Sequence, residues 1–102
     1  MDFEKEKVFE EKFPALYNLL SSIAFGMEEG RSEWDIVRKE IKSFDDAEKV
    51  LNELEEFLKN RPSDFEHVIE DVANVYFDDT NEFLRWMEQL KRYILSVKSS
   101  LK

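Results

Sequence analysis

Ser-Phe-Asp-Asp-Ala-Glu-Lys-Val-Leu-Asn-Glu-Leu-Glu-Glu-Phe-Leu-Lys-Asn, residues 43–60, is the stretch whose reading decides the fold. Phe44, Ala47, Leu51, Leu54 and Leu58 recur at i, i+3, i+7, i+10 and i+14, which places them on one face of an α-helix. Glu48, Asn52, Glu53, Glu55 and Glu56 occupy the opposite face. Ser43 or Asp45 suits the N-cap. Asn60-Arg61-Pro62 stops the helix, because the residue before a proline is driven out of the α region.

The same pattern continues on both sides. Downstream, Ser63 with Glu66 forms a capping box for a fifth helix that turns Phe65, Val68, Ile69, Val72 and Tyr76 inward and ends at Asp78-Asp79. Thr80 is the expected cap of a last helix presenting Phe83, Leu84, Met87, Leu90, Ile94, Val97 and Leu101, with a small basic tail from Ser96 to Lys102 that should fray. Upstream, residues 2–11 suit a short charged helix carrying Phe3, Val8 and Phe9. Pro14 fits the first turn of a second helix, where its missing N–H costs nothing, and Leu16, Leu19, Leu20 and Ile23 follow at helical spacing. Gly26 and Gly30 bracket Met27-Glu28-Glu29 as a loop. Ser32, with Asp35 three residues on, opens a third helix with Trp34, Val37 and Ile41 on one face. No alternating strand pattern outlasts about four residues. The reading is all-α: a compact antiparallel bundle of about six short helices, one domain over residues 1–102, with sequence neighbours packed together.

Composition agrees. The chain has 102 residues, 42% of them hydrophobic and 14% aromatic, enough for a core without a metal or a cross-link. The absence of Cys excludes a disulfide scaffold, a thiolate metal site and a Cys nucleophile. Two Gly and two Pro are too few for hairpins or a phosphate-binding loop. The net charge of −9 repels phosphate backbones and anionic lipid surfaces, so neither nucleic acid nor membrane is an expected partner. The opening Met-Asp-Phe-Glu-Lys-Glu-Lys has no apolar run behind it and is not a signal or transit peptide, and no segment approaches the roughly 20 apolar residues of a membrane span. A cytoplasmic location is expected.

Candidate chemistry is thin. His67 has Glu70 and Asp71 at i+3 and i+4, a spacing that could align metal ligands, but a solvated helix face explains it better. Asp78-Asp79-Thr80-Asn81-Glu82 is oxygen-rich, yet it lacks the alternating ligands and central Gly of a calcium loop. No nucleophile elbow, phosphate loop or distinctive carboxylate pair occurs, so the chain is read as a non-enzyme without cofactor or metal.

What remains is the arrangement of charge. Glu28, Glu29, Glu33 and Asp35 crowd the second loop, while Glu66, Glu70, Asp71, Asp78, Asp79 and Glu82 line the fifth helix and the following turn. Lys91, Arg92, Lys98 and Lys102 concentrate positive charge elsewhere. These ten carboxylates, with Trp34 beside the first group, are the expected binding surface for a basic protein partner; Trp86 reads as core. Such a face raises association rate and specificity more than affinity.

The order of these features resembles the small helical immunity proteins of bacterial contact-dependent growth inhibition systems. The resemblance lies in Phe13-Pro14-Ala15-Leu16-Tyr17-Asn18-Leu19-Leu20, in the helix start Ser43-Phe44-Asp45-Asp46-Ala47, and in Phe83-Leu84-Arg85-Trp86-Met87 after a polar turn. It spans residues 13–95, with Ser21-Ser22 where the family usually shows a Gly pair. The resemblance implies a cytoplasmic antidote that binds a cognate toxin domain, a basic nuclease and foremost an RNase, and blocks its active-site groove. The chain when unbound is expected to be a monomer or weak homodimer. The alternative from a different class is an acidic helical adaptor or oligomerisation domain with no toxin partner.

Overall fold

Local side chains satisfy exposed backbone N–H groups at three of the helix starts, those of the third, fourth and sixth helices. In a computed structural model that describes residues 3–59 and 65–101, the chain forms α1 (Phe3–Lys12), α2 (Pro14–Glu28), α3 (Glu33–Glu40), α4 (Phe44–Lys59), α5 (Phe65–Ala73) and α6 (Thr80–Ser100), with no strand among the described residues. Ser32 Oγ accepts from the Asp35 N–H at 3.2 Å, and Ser43 Oγ accepts from the Asp46 N–H at 3.1 Å. Of the two candidate caps for α4, Ser43 is therefore the one used. The cap of α6 is Asp79 rather than Thr80: its Oδ1 accepts from the Glu82 N–H at 2.8 Å. The Ser63–Glu66 capping box and the stop at Asn60-Arg61-Pro62 involve residues outside those described.

Three helix ends differ from the sequence reading. Gly26 does not open a loop, because α2 runs through it to Glu28. It is buried against Ile36, and the helix closes one turn later at Gly30 (φ +84°). There the Gly30 N–H donates to Met27 O and the Arg31 N–H to Gly26 O, the paired bonds that a left-handed residue after a helix allows. α5 stops at Ala73, not at Asp78, because Asn74 takes the left-handed conformation (φ 56°) and the Val75 N–H turns back to Glu70 O. That early stop reverses the expected order of the next two rings. Tyr76, expected inside, is 76% exposed, and Phe77 is buried against Phe83 and Trp86 with centroids 5.3 and 5.7 Å away. α6 stays helical to Ser100, inside the stretch expected to fray, since Val97 is buried and Leu101, its C-cap, packs on the core.

The buried faces are close to those read from spacing, with shifts. On α4 the buried set is Ala47, Val50, Leu51, Leu54 and Phe57, while Phe44 and Leu58 are only half-buried. On α3, Ile36 and Val37 are buried, followed by Ile41, and Trp34 is half-buried. Leu84 on α6 lies exposed.

Sequence neighbours pair at α1–α2 and α2–α3, as expected, but the other main contacts are between helices distant in sequence. α2 touches α1 and α3, but also α4 and α5, and α6 packs on α4 and α3. The reason lies in α2 itself, whose apolar side chains pass round much of its circumference, so it takes neighbours on several sides. α4 and α6 run antiparallel, since Lys91 pairs with Glu55 and Lys98 with Glu48, each at 3.7 Å. The radius of gyration, 12.9 Å, is that of a folded chain of this length.

One cap is supplied from a distance. Phe13, the residue before α2, offers no side-chain acceptor, and Pro14 has no N–H. The Leu16 N–H in the first turn instead donates to Glu53 Oε1 of α4 at 3.0 Å. A carboxylate at that position both satisfies an orphan donor and opposes the positive end of the helix dipole. Glu53→Ala should therefore lower unfolding free energy by about 1–2 kcal/mol, with Glu53→Gln losing less, as read by urea denaturation. A loss below a few tenths of a kcal/mol would show that water replaces the cap. Nearby, partial burial and then the carboxylates of Glu10 and Glu6 hold the Tyr17 phenol above its ordinary pKa. The phenol stays protonated and donates to Glu6 Oε1 at 3.4 Å, joining α1 to α2.

Candidate partner-binding surface

The acidic residues divide into two groups, each built on a helix end. The first lies where α2 gives way to α3. Glu28 is exposed in the last turn of α2, and Glu29 is its C-cap, paired with Arg31 at 2.9 Å but with its side chain still largely exposed. Carboxylates here face the negative end of the helix dipole, a placement that costs about 0.3–1 kcal/mol. Glu33 is half-buried, and Asp35 is exposed, with its carboxylate 3.4 Å from Arg38. Trp34 packs at a tilt against Tyr93 with centroids 5.4 Å apart and carries the Arg38 guanidinium 6.0 Å from its ring centroid.

The second group lies between α5 and α6. Glu70 is consumed by the fold: Oε2 accepts from the Phe77 N–H at 2.8 Å, Oε1 lies 2.9 Å from His67 Nδ1, and its side chain is 15% exposed. Asp79 is occupied as the α6 cap, and Glu82 Oε2 accepts from the Asp78 N–H at 3.3 Å. Asp71 and Asp78 present exposed carboxylates, and Glu66 is half-buried. The two groups do not merge into one patch. Trp34 meets α6 at Tyr93, whereas Asp79 begins that helix, about 20 Å along its axis.

His67 and Glu70 do meet, in keeping with their spacing, but Glu70's second oxygen belongs to Phe77. Among the described residues, no three His, Asp or Glu side chains come together as metal ligands. The basic residues of α6 are also less available than their count suggests, because Lys91 and Lys98 are held by α4 carboxylates.

Two aromatic residues complete the picture. Phe25, which the sequence reading does not single out, is 73% exposed and lines a cleft of about 600 Å³ with Asn18, Ser21, Glu29, Arg31 and Glu40. The signal for it is angular: at 100° per residue Phe25 lies about 180° round α2 from Leu16, inside an otherwise polar stripe. Tyr76 occupies the corresponding position in the second group, exposed between Asp71 and Asp78 in the chain. Each acidic group thus carries one exposed ring, the residue type that most often anchors a protein interface. No family model, curated protein or solved structure matches the chain.

Proposed function

We propose that this protein is a stoichiometric inhibitor: an immunity protein that binds and neutralises a cognate contact-dependent growth inhibition toxin domain. Its target is a nuclease, foremost an RNase, and it acts in the cytoplasm by covering the basic active-site groove. The observation that supports this reading most is the placement of Glu28 at the negative end of α2, where its exposed carboxylate opposes stability and projects charge outward, beside Glu29, which is paired with Arg31 but still largely exposed. The net charge of −9 and the exposed rings at Phe25 and Tyr76 fit the same partner.

The reading is tested by mixing the purified chain with the toxin domain encoded immediately upstream and following binding by calorimetry and nuclease activity on RNA. A chain that neither binds nor protects the RNA overturns it. The informative charge reversals are those that spare the fold, so Glu70 and Asp79 are left intact. Glu28→Lys, Asp71→Lys and Asp78→Lys together should lower the association rate about tenfold or more at low salt and flatten its dependence on ionic strength. Arg92→Glu is the control, because reversing Lys91 or Lys98 would break the pairs between α4 and α6.

A further inference from the structure

The chain holds cations over its own rings in a recurring way. On α4, Phe44 and Glu48 stand at i and i+4, and Lys98 of α6 reaches both: Nζ is 4.9 Å from the ring centroid and 3.7 Å from the Glu48 carboxylate. On α3, Arg38 lies over Trp34 while pairing with Asp35. In each case a ring face and a carboxylate share one cation, an arrangement in which both contacts attract it.

Phe25 and Glu29 repeat the i, i+4 spacing of Phe44 and Glu48, but on the outside of the molecule. Phe25 is 73% exposed, and among the described residues no ring or cation lies against it. Glu29 is bound by Arg31 through one oxygen and remains mostly exposed, and a carboxylate accepts from more than one donor. Glu40 supplies a second carboxylate to the same cleft, so its charged lining stays net negative once Arg31 has paired with Glu29, and its volume of about 600 Å³ is ample for one long side chain. We infer that the cleft between α2 and α3 seats an arginine side chain of the partner protein, its guanidinium stacked on Phe25 and bonded to Glu29. Arginine fits better than lysine because its planar group stacks and donates in two directions at once. This inference rests on the inhibitor reading and selects the α2–α3 end, not the α5–α6 turn, as the centre of the interface.

Two measurements test it. In the first, the full chain is titrated with acetyl-Gly-Arg-Gly-amide while backbone amide shifts are followed by NMR, with the lysine and citrulline analogues as controls. The arginine peptide should shift Ser22, Phe25, Glu29 and Arg31 selectively, the neutral citrulline peptide should not, and Phe25→Ala should abolish the response. Shifts spread evenly over every acidic residue would overturn the seat. In the second, affinity for the upstream toxin domain is compared across variants. Phe25→Ala and Phe25→Leu should both weaken binding about tenfold, and Phe25→Trp should hold or improve it, because only a π-face attracts the cation. A Leu variant with full affinity would mean plain apolar contact and would overturn the inference while leaving the inhibitor reading standing. A wild-type chain that ignores the toxin removes the inhibitor reading, and the peptide titration then decides the seat by itself.

Discussion

Phe57→Ala should lose about 3–5 kcal/mol of unfolding free energy, a large part of what holds a domain of this size together. Phe57 is 1% exposed and, among the described residues, stands edge-on to Phe9 at 5.4 Å, to Phe13 at 5.6 Å, and to Phe83 at 6.5 Å. Those partners come from α1, from the link between α1 and α2, and from α6. Truncation leaves a cavity that cannot collapse without moving three separate elements, and it forfeits edge-to-face contacts of about 0.5–1.5 kcal/mol each. Phe57→Leu fills most of the space and should lose clearly less. Urea unfolding followed by circular dichroism reads both, with an unchanged slope showing that the unfolded state is not the cause. A loss under about 1.5 kcal/mol for the alanine variant would show that the site closes over and that the four rings do not act as a unit.

Gly26→Val is the second large effect, expected at about 3 kcal/mol. A Cβ built on Gly26 falls 2.5 Å from Ile36 Cγ1 and 2.6 Å from its Cδ1. Ile36 is itself buried and β-branched, so it has few rotamers to retreat into. Replacing a helical glycine normally gains up to about 1 kcal/mol, and here overlap at the α2–α3 contact outweighs that gain. Ile36→Ala in the same chain should recover part of the loss, which a double-mutant cycle measures as a favourable coupling. Gly30 provides the contrast. A Cβ at Gly30 would meet nothing within 4 Å, yet its φ of +84° makes Gly30→Ala cost about 1 kcal/mol through the backbone alone, with no rescue from Ile36→Ala. Equal losses at both glycines with no coupling would contradict this division.

Much of the helical layout is legible in the residues, and the failures have definite causes. Ser32 and Ser43 are readable as caps because each stands three residues before an N–H that it accepts from. At 78–80 three good cap residues are adjacent, and the one used is Asp79, which has Glu82 at the capping-box position; Thr80 has Phe83 there. Tyr76 points inward only if the α5 period is extended past Asn74, a residue well suited to the left-handed end of a helix. Gly26 reads as punctuation only when glycine's other use, close approach of two helices, is set aside. The exposed carboxylates are legible as a class. Which of them the fold consumes is not, because Glu53 serves an N–H 37 residues away and Glu70 serves one 7 residues on. Those assignments depend on how helices cross, and local periodicity carries no information about crossing.

The position of α2, in contact with α1, α3, α4 and α5, has a consequence for synthesis. Of the described helices that touch α2, α1 alone precedes it, and the remaining cover for Leu16, Leu19, Leu20 and Ile23 lies ahead in the chain as far as Ala73. At about 5–20 residues per second, the translation of residues 29–73 keeps that surface open for roughly two to nine seconds. Until α5 is made, part of the apolar face of α2 stays uncovered on the nascent chain, and shortened products ending before α5 keep it so.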